Sequence, residues 1–299
     1  MPETLQSVTQ FPRTAILTPN VHRVLGLNPG PFTGPGTNTY IVGLDGDAPL
    51  LLDTGSGVPA WADLLKRHLD EVHAPPLARA IMTHGHPDHT GGAPDFLRLF
   101  PRASLHKKSW PERDAAVKAR FMPLEDGARV TGAGFTLRAI HTPGHAPDHL
   151  CFYLEEEKAL FTGDVVLGVG TTVIPLDGGD LGQYLDSLRH LLTLDVQRIY
   201  PGHGPVIENG KAKIQQYLEH RLERERQILD ELSGGPKTVM AMVRSIYRAY
   251  PENLYAAAAQ SVESHLIKLE REARVARDGG EEAGGSGRAS REPLFTRLH

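Results

Sequence analysis

"IMTHGHPDHTGG", residues 81–92, ends an apolar run by placing His84, His86, Asp88 and His89 within six positions. Imidazole and carboxylate are good zinc donors, and zinc takes about four of them. A tight loop after a buried strand points His84 and His86 to one centre and Asp88 and His89 to another. The competing reading is a solvated turn capping the next helix, with Thr90 or Asp88 as N-cap. The choice depends on whether distant parts of the chain supply the missing donors.

Three further stretches do so. "AIHTPGHAPDH" (139–149) places His145 after a Pro-Gly turn. "ALFTGDVVL" (159–167) ends an apolar strand in Thr-Gly-Asp, with Asp164 last. "RIYPGHGPV" (198–206) sets His203 between glycines. Glycine lets a loop pass close to a ligand, so each stretch brings a donor to a strand end in a narrow turn. Each alone is weak. Four such strand ends together favour a metal site.

The 299 residues carry 32 Lys/Arg against 36 Asp/Glu, a net charge of −4, so any nucleic-acid contact needs a local basic surface. The one cysteine, Cys151, rules out an intrachain disulfide and suits a reducing compartment. Cys151 in "LCFYL" reads as a buried strand residue. No apolar run is long enough for a membrane span. The N-terminal stretch has Glu3 early and no basic-then-apolar order, so a cytoplasmic location is expected, with the mitochondrial matrix as the alternative.

From about Val21 to Ile174, short strand-like segments bounded by Gly, Pro or Asp alternate with helices expected at Trp61–Val72, Pro94–Phe100 and Leu181–Leu192. After His203 the character changes. Lys211 to Leu232 reads as one long helix ended by "SGGP". Thr238 caps "VMAMVRSIYRAY", "PENL" starts another helix, and "ARVAR" and "PLFTRLH" are candidate paired strands. Three helices and a hairpin describe a winged-helix unit. The expected organisation is an extension over 1–20, a catalytic domain over 21–210, and a long helix plus winged-helix-like unit over 211–299. The stretch 278–291 is expected to be a flexible insertion.

Thr83 to Gly92 matches "THxHxDHxGG", followed in order by a His, an Asp and a His. In this the chain resembles the metallo-β-lactamase-fold hydrolases. The resemblance implies an α/β (α+β) four-layer αββα sandwich with a dinuclear site at the sheet edge. It implies that His84, His86 and His145 hold one metal, that Asp88, His89 and His203 hold the other, and that Asp164 bridges them. Two Zn2+ are expected, and iron or manganese suit the same donors. Position 86 is not the glutamate of the di-iron flavoprotein branch, and position 164 is not the cysteine of the antibiotic-hydrolysing enzymes. The thioesterase motif "GHTxGS" is replaced by "GHAPDH", which counts against a glyoxalase assignment.

"LGLNPGPFTGPGTNTYIVG", "FTGDVVLGVGTTV", "IYPGHGPVIENGKAKIQQYLEHR" and "PENLYAAA" are similar to the β-lactamase-like-protein-2 group. Its best-known member is an endoribonuclease acting on single-stranded RNA, and bacterial and fungal relatives include proteins called hydrolases or thioesterases. The resemblance implies a metal-dependent endoribonuclease, with a thioester or lactone hydrolase as the alternative and a non-enzymatic scaffold as a third reading. Two metals about 3.5–4 Å apart activate water near neutral pH for either ester chemistry. Candidate catalytic residues are Asp88, Asp164, His145, Asn38 and His149. Asn38 is expected to donate to a substrate oxygen or to cap a turn. Asp148 and His149 contact substrate or brace the His145 loop. Asp53, in "LLLDTG", is expected to orient a ligand histidine. Between Lys211 and Arg277, twelve Lys/Arg stand against nine Asp/Glu, with Lys211, Lys213, Arg244, Arg248 and Lys268 as candidate phosphate contacts. The winged-helix unit can equally cover the pocket or make a homodimer contact.

Overall fold

The computed structural model describes residues 11–44, 46, 48–278 and 292–298. Its first sheet has seven strands in chain order: β1 (Thr14–Ile16), β2 (Val21–Leu25), β3 (Asn38–Val42), β4 (Leu50–Leu52), β5 (Arg79–Ile81), β6 (Ser104–Lys107) and β7 (Phe121–Pro123). Pairing is antiparallel up to β4 and parallel beyond it. The parallel half needs crossovers, and these carry α1 (Pro59–Glu71), α2 (Pro87–Thr90), α3 (Ala93–Leu99) and α4 (Pro111–Asp114). The second sheet holds β8 (Arg129–Gly132), β9 (Phe135–His141), β10 (Leu150–Leu154), β11 (Ala159–Gly163) and β12 (Arg198–Pro201), in the order β12-β11-β10-β9-β8. The parallel β11–β12 pair is bridged by α5 (Leu181–Leu192).

Side-chain alternation assigns each residue to a layer. Leu150, Phe152 and Leu154 of β10 face the other sheet, while Cys151 faces the outer helices. Leu50 and Leu52 of β4 join the same inner core, while Leu51 packs under α1 with Trp61 and Leu65. The result is helix, sheet, sheet, helix.

Beyond β12 comes α6 (Gly210–Ser233), whose start is held by Gly210 N–H to Gln197 O (2.8 Å) and Lys211 N–H to Val196 O (3.0 Å). It therefore begins at the end of β12 away from His203. Then follow α7 (Val239–Ile246), capped by the Thr238 side chain, a 3₁₀ turn (Glu252–Leu254), α8 (Tyr255–Arg271) and the antiparallel pair β13 (Val275–Asp278) and β14 (Leu294–Arg297). This unit has its own core of Ile228, Val243, Val262, Leu266 and Phe295.

The sequence's 1–20 extension contributes β1 to the first sheet, antiparallel to β2. Most of the anticipated 278–291 insertion, residues 279–291, lies outside the described residues, as do residues 1–10. Among the described residues, no helix is long and apolar enough to cross a membrane.

Candidate metal centre

Five strands deliver polar side chains from their C-terminal ends to one place. Asp53 follows β4, Thr83 to His89 follow β5, His145 follows β9, Asp164 follows β11 and His203 follows β12. Two glycines make room. Gly163 has φ +45°, and a Cβ there would lie 2.6 Å from His149 Nε2. A Cβ on Gly202 would lie 2.6 Å from Asp164 Oδ1.

The donors form two groups that share Asp164. In the first, His86 Nδ1 is 3.0 Å from His84 Nε2 and 2.9 Å from His145 Nε2, which is 3.6 Å from Asp164 Oδ2. In the second, His89 Nε2 lies 3.4 Å from Asp88 Oδ2 and 3.3 Å from Asp164 Oδ1. His203 Nε2 lies 3.3 and 3.2 Å from the same two oxygens. Donors 2.0–2.2 Å from a tetrahedral ion stand roughly 3.3–3.6 Å apart. The second group has that spacing, and the first is slightly tighter. Buried His89 Nε2 and Asp164 Oδ1 have no hydrogen-bond partner. An unpaired buried polar atom costs about 1–3 kcal/mol. A cation between these atoms would satisfy both, so the residues present fit the metals that the donor set implies. The groups that can hold an ion are His84/His86/His145, His84/His89/Asp164 and Asp88/His89/His203.

The far side of each ring is anchored. Asp53 accepts from His89 Nδ1 (2.8 Å), from the Thr83 N–H (2.7 Å) and from the Thr83 hydroxyl (2.9 Å). With its only proton given to Asp53, the Thr83 hydroxyl accepts from His84 Nδ1 at 3.0 Å. His145 Nδ1 donates to Val173 O at 2.8 Å. These bonds turn the Nε2 lone pairs of His84, His89 and His145 inward. Asp53 adopts φ +61°, a conformation that costs of order 1–3 kcal/mol and persists where neighbours enforce it.

Charge differs between the two groups. Burial opposes a proton on His203, but Asp164 and Asp88 outweigh it and push its pKa up to about 9. His89 is raised by the same carboxylates against its burial. Burial also opposes charge on Asp88 and Asp164, yet the nearby histidines hold both below the usual carboxylate range. In the other group burial dominates. It pushes His86 down to about 4, helped by His145, and lowers His84 and His145.

The solvated-turn reading of residues 81–92 does not describe this loop. Asp88 and Thr90 lie inside α2, whose N-cap is His86. The Asn38 amide is engaged within the protein. Its Nδ2 donates to Pro201 O and Gly204 O, both at 2.9 Å, and its main-chain N–H to Gly202 O at 2.7 Å. Tyr40 Oη also donates to Pro201 O (2.7 Å), and Thr37 bridges His203, so β3 is tied across to the His203 loop. His149 is buried and braces Asp164, accepting the Asp164 N–H on Nε2 at 3.2 Å while Nδ1 meets Thr142 Oγ1 at 2.9 Å. Asp148 is a brace too. It is fully buried 2.6 Å from Lys107 Nζ, and Lys107 also holds Asp114 (2.7 Å) and Lys108 O. Burial pushes the Asp148 carboxyl up, against the pull of Lys107. Cys151 is buried, with its thiol pushed up to about 12.

The sequence reading gave no role to Thr83, Lys107 or Val173. For Lys107 a signal existed, because alternation along β6 puts it on the same buried face as Leu105. Val173 acts through its carbonyl, which leaves no residue-type trace.

The sequence profile of the metallo-beta-lactamase superfamily matches residues 32–203, and that of a beta-lactamase-associated winged helix domain matches residues 238–284. An atrochrysone carboxyl ACP thioesterase of Aspergillus chevalieri is 41% identical over 279 residues, covering 89% of this chain and 86% of its own. A lactamase-like protein of Pestalotiopsis fici is 44% identical over 242 residues, 77% of this chain and 73% of its own. A solved metallo-beta-lactamase family protein from Thermus thermophilus superposes with a TM-score of 0.74 at 24% identity, over 94% of this chain and 100% of that one. Sequence match, layered fold and donor cluster agree: the chain belongs to the metallo-beta-lactamase superfamily and carries that superfamily's associated winged helix at its C-terminal end.

Proposed function

We propose that the protein is a dinuclear-metal thioesterase that frees an acyl group from a carrier-bound thioester. The observation that carries this reading is the relative named as an ACP thioesterase, which is similar over 89% of the chain. Two zinc ions are the proposed occupants. His84, His86, His145 and Asp164 Oδ2 would hold one, and Asp88, His89, His203 and Asp164 Oδ1 the other. When bound, such cations supply Lewis acidity and water activated near neutral pH. In the reaction a water oxygen bonds to the carbonyl carbon, the C–S bond breaks, and acid and thiol leave.

The chain's own residues set the geometry. Asp53 and Thr83 fix the rings of His89 and His84, and His149 fixes the Asp164 main chain. Substrate would approach over His86 and Asp88, which with Asp164 are the half-buried members of the cluster. The surrounding loops expose apolar side chains. Phe32 is 72% exposed in the loop leading to Thr37, whose hydroxyl donates to Asp88 (3.1 Å), and Val169, Val173 and Leu176 are exposed on the segment after Asp164. Exposed apolar side chains on these loops suit an acyl group better than a polyanion.

The endoribonuclease reading has less support. Lys211 and Lys213 open α6 at the end of β12 away from His203, and Lys268 is paired with Glu225 (2.7 Å) and Glu272 (2.8 Å). The deciding experiment offers the purified protein an acyl-ACP, an acyl-CoA and a labelled single-stranded RNA, each with and without chelator. Chelator-sensitive thioester hydrolysis that is absent in Asp164→Asn supports the proposal. RNA cleavage outpacing thioester turnover in the metal-loaded protein overturns it.

A further inference from the structure

The segment 164–180 joins β11 to α5 with no regular structure of its own, yet nearly every turn of it is held. Val165 O accepts from Tyr184 Oη (2.7 Å) and Thr172 Oγ1 (3.0 Å). Tyr217 Oη, on α6, accepts from Leu167 N–H (3.1 Å) and donates to Gly170 O (2.9 Å). Three successive carbonyls then take three different donors. Thr172 O accepts from the Arg221 guanidinium on α6, Val173 O from His145 Nδ1 (2.8 Å), and Ile174 O from Ser264 Oγ on α8 (3.2 Å), whose single proton is shared with Gln260 O (3.0 Å). The carbonyl that orients a candidate ligand thus sits between two that the C-terminal helices hold.

Packing holds part of this stretch, with Val165, Val166 and Ile174 buried in the outer-helix core. Where it meets α8, a cavity of about 60 Å³ is lined by Pro175, Leu176, Ser264 and Ile267. The hydrogen bonds add a hold on the main chain of residues 172–174. Arg221 is buried, with its guanidinium over the Tyr184 ring (5.4 Å). One turn further along α6, Glu225 locks α8 to α6 through Lys268 (2.7 Å) and Arg274 (2.6 Å), and Arg271 pairs with Asp180 at the start of α5.

We propose that the C-terminal helices are part of the metal site: Arg221 on the long helix α6 and Ser264 on α8 of the winged-helix unit are positioning residues for His145, acting through the main chain of residues 172–174. The proposal rests on the cluster holding metal and is independent of the thioester substrate. A ligand histidine whose second-sphere partner is displaced binds metal about 10–100-fold more weakly, and the effect falls on one cation only.

Full-length Arg221→Met, Arg221→Lys, Ser264→Ala and Arg224→Met proteins test it. Arg224 is a matched control. It is also buried on α6, but it lies over Tyr247 (4.1 Å) and bonds Gln227, not the strap. The readouts are Zn2+ affinity by chelator competition, the visible spectrum of the Co2+-loaded protein, and melting temperature in chelator. The expected result is about tenfold weaker binding of one Zn2+ in Arg221→Met, a smaller loss in Ser264→Ala and recovery in Arg221→Lys. The altered Co2+ spectrum is confined to the weakened site, and Arg224→Met melts lower with both affinities intact. If Arg221→Met does not fold, Ser264→Ala carries the comparison. Unchanged affinities in both variants, or an equal loss in Arg224→Met, overturn the proposal. An unaltered protein that binds no cation removes its premise, whatever the thioester assay shows.

Discussion

The two halves of the donor cluster are built from different chemistry. Around His89 and His203 the neighbours are carboxylates: Asp53 behind, Asp88 and Asp164 in front. Around His84, His86 and His145 they are a hydroxyl, a main-chain carbonyl and other imidazoles, with one Asp164 oxygen. A carboxylate-rich half attracts a cation by charge as well as by the direction of its rings. An imidazole-rich half has less charge and depends more on orientation, so its grip is set by what lies behind the rings. The first half is thus expected to fill first, and the second to be the one that distant changes loosen.

The severest way to break this contrast is to remove what the halves share. Asp164→Asn is expected to lower hydrolysis by more than about 100-fold, because even outer-sphere partners cost 10–100-fold. Initial rates together with metal content check it, and two retained cations with normal turnover would contradict it.

Lys107→Met acts on the imidazole-rich half from behind. It strips the partner from buried Asp148, beside the His145 loop, and is expected to cost about 3–5 kcal/mol of stability. Urea unfolding measures this, and an unchanged midpoint would show that the pair is dispensable.

Asp53→Asn acts on the other half. It weakens the hold on His89 directly and on His84 only through Thr83, so the carboxylate-rich site is expected to lose more affinity, by about 10–100-fold, as read by stepwise zinc titration. Equal weakening at both sites would erase the distinction.

The gentlest probe is pH, applied to chelator-stripped protein. The His203 pKa is raised from 6.5 to about 9, so its contribution to stability is complete below pH 6.5 and is lost as pH climbs through about 9. His86 is depressed from 6.5 to about 4, so the unfolded chain takes the proton first and stability falls as pH drops from 6.5 toward 4. Melting temperature is expected to peak near pH 6.5 and to decline on both sides. Mutating His203 would shrink the alkaline limb, which His89 shares, and a profile flat from pH 4 to 9 would contradict the assignment.

The same contrast explains what the sequence revealed. The Thr83–Gly92 turn puts four donors in one loop, and His145, Asp164 and His203 each follow an apolar strand, so the cluster could be read from residue types. Helix α5 was expected at Leu181–Leu192 and lies there, because its leucines repeat on one face and Asp180 caps it. The edge strands were harder. β7 is three residues, Phe-Met-Pro, with the last two exposed, and β8 is four, with Val130 alone buried between exposed Arg129 and Thr131, so neither shows an alternation long enough to read. Asn38 looked like a substrate donor because nothing in its sequence neighbourhood shows that Pro201 and Gly204 take its amide protons. The nuclease expectation came from stretches that specify architecture. The closeness to a thioesterase over most of the chain supports the alternative instead.

The ties from Asn38, Tyr40 and Thr37 to the His203 loop run across the gap between the two sheets, at the rim where the donors gather. They act as a stitch that keeps the two leaves of the sandwich from splaying there. The strands behind the rim therefore hold their spacing whatever happens to the loops in front. Exchanges at the exposed tip around Pro31 and Phe32 can reshape the entrance, whereas Asn28, which bonds Thr37, and Gly168, whose N–H bonds His203 O (2.8 Å), belong to the stitched part. A scaffold stitched in this way is suited to acquiring new substrates by loop turnover alone.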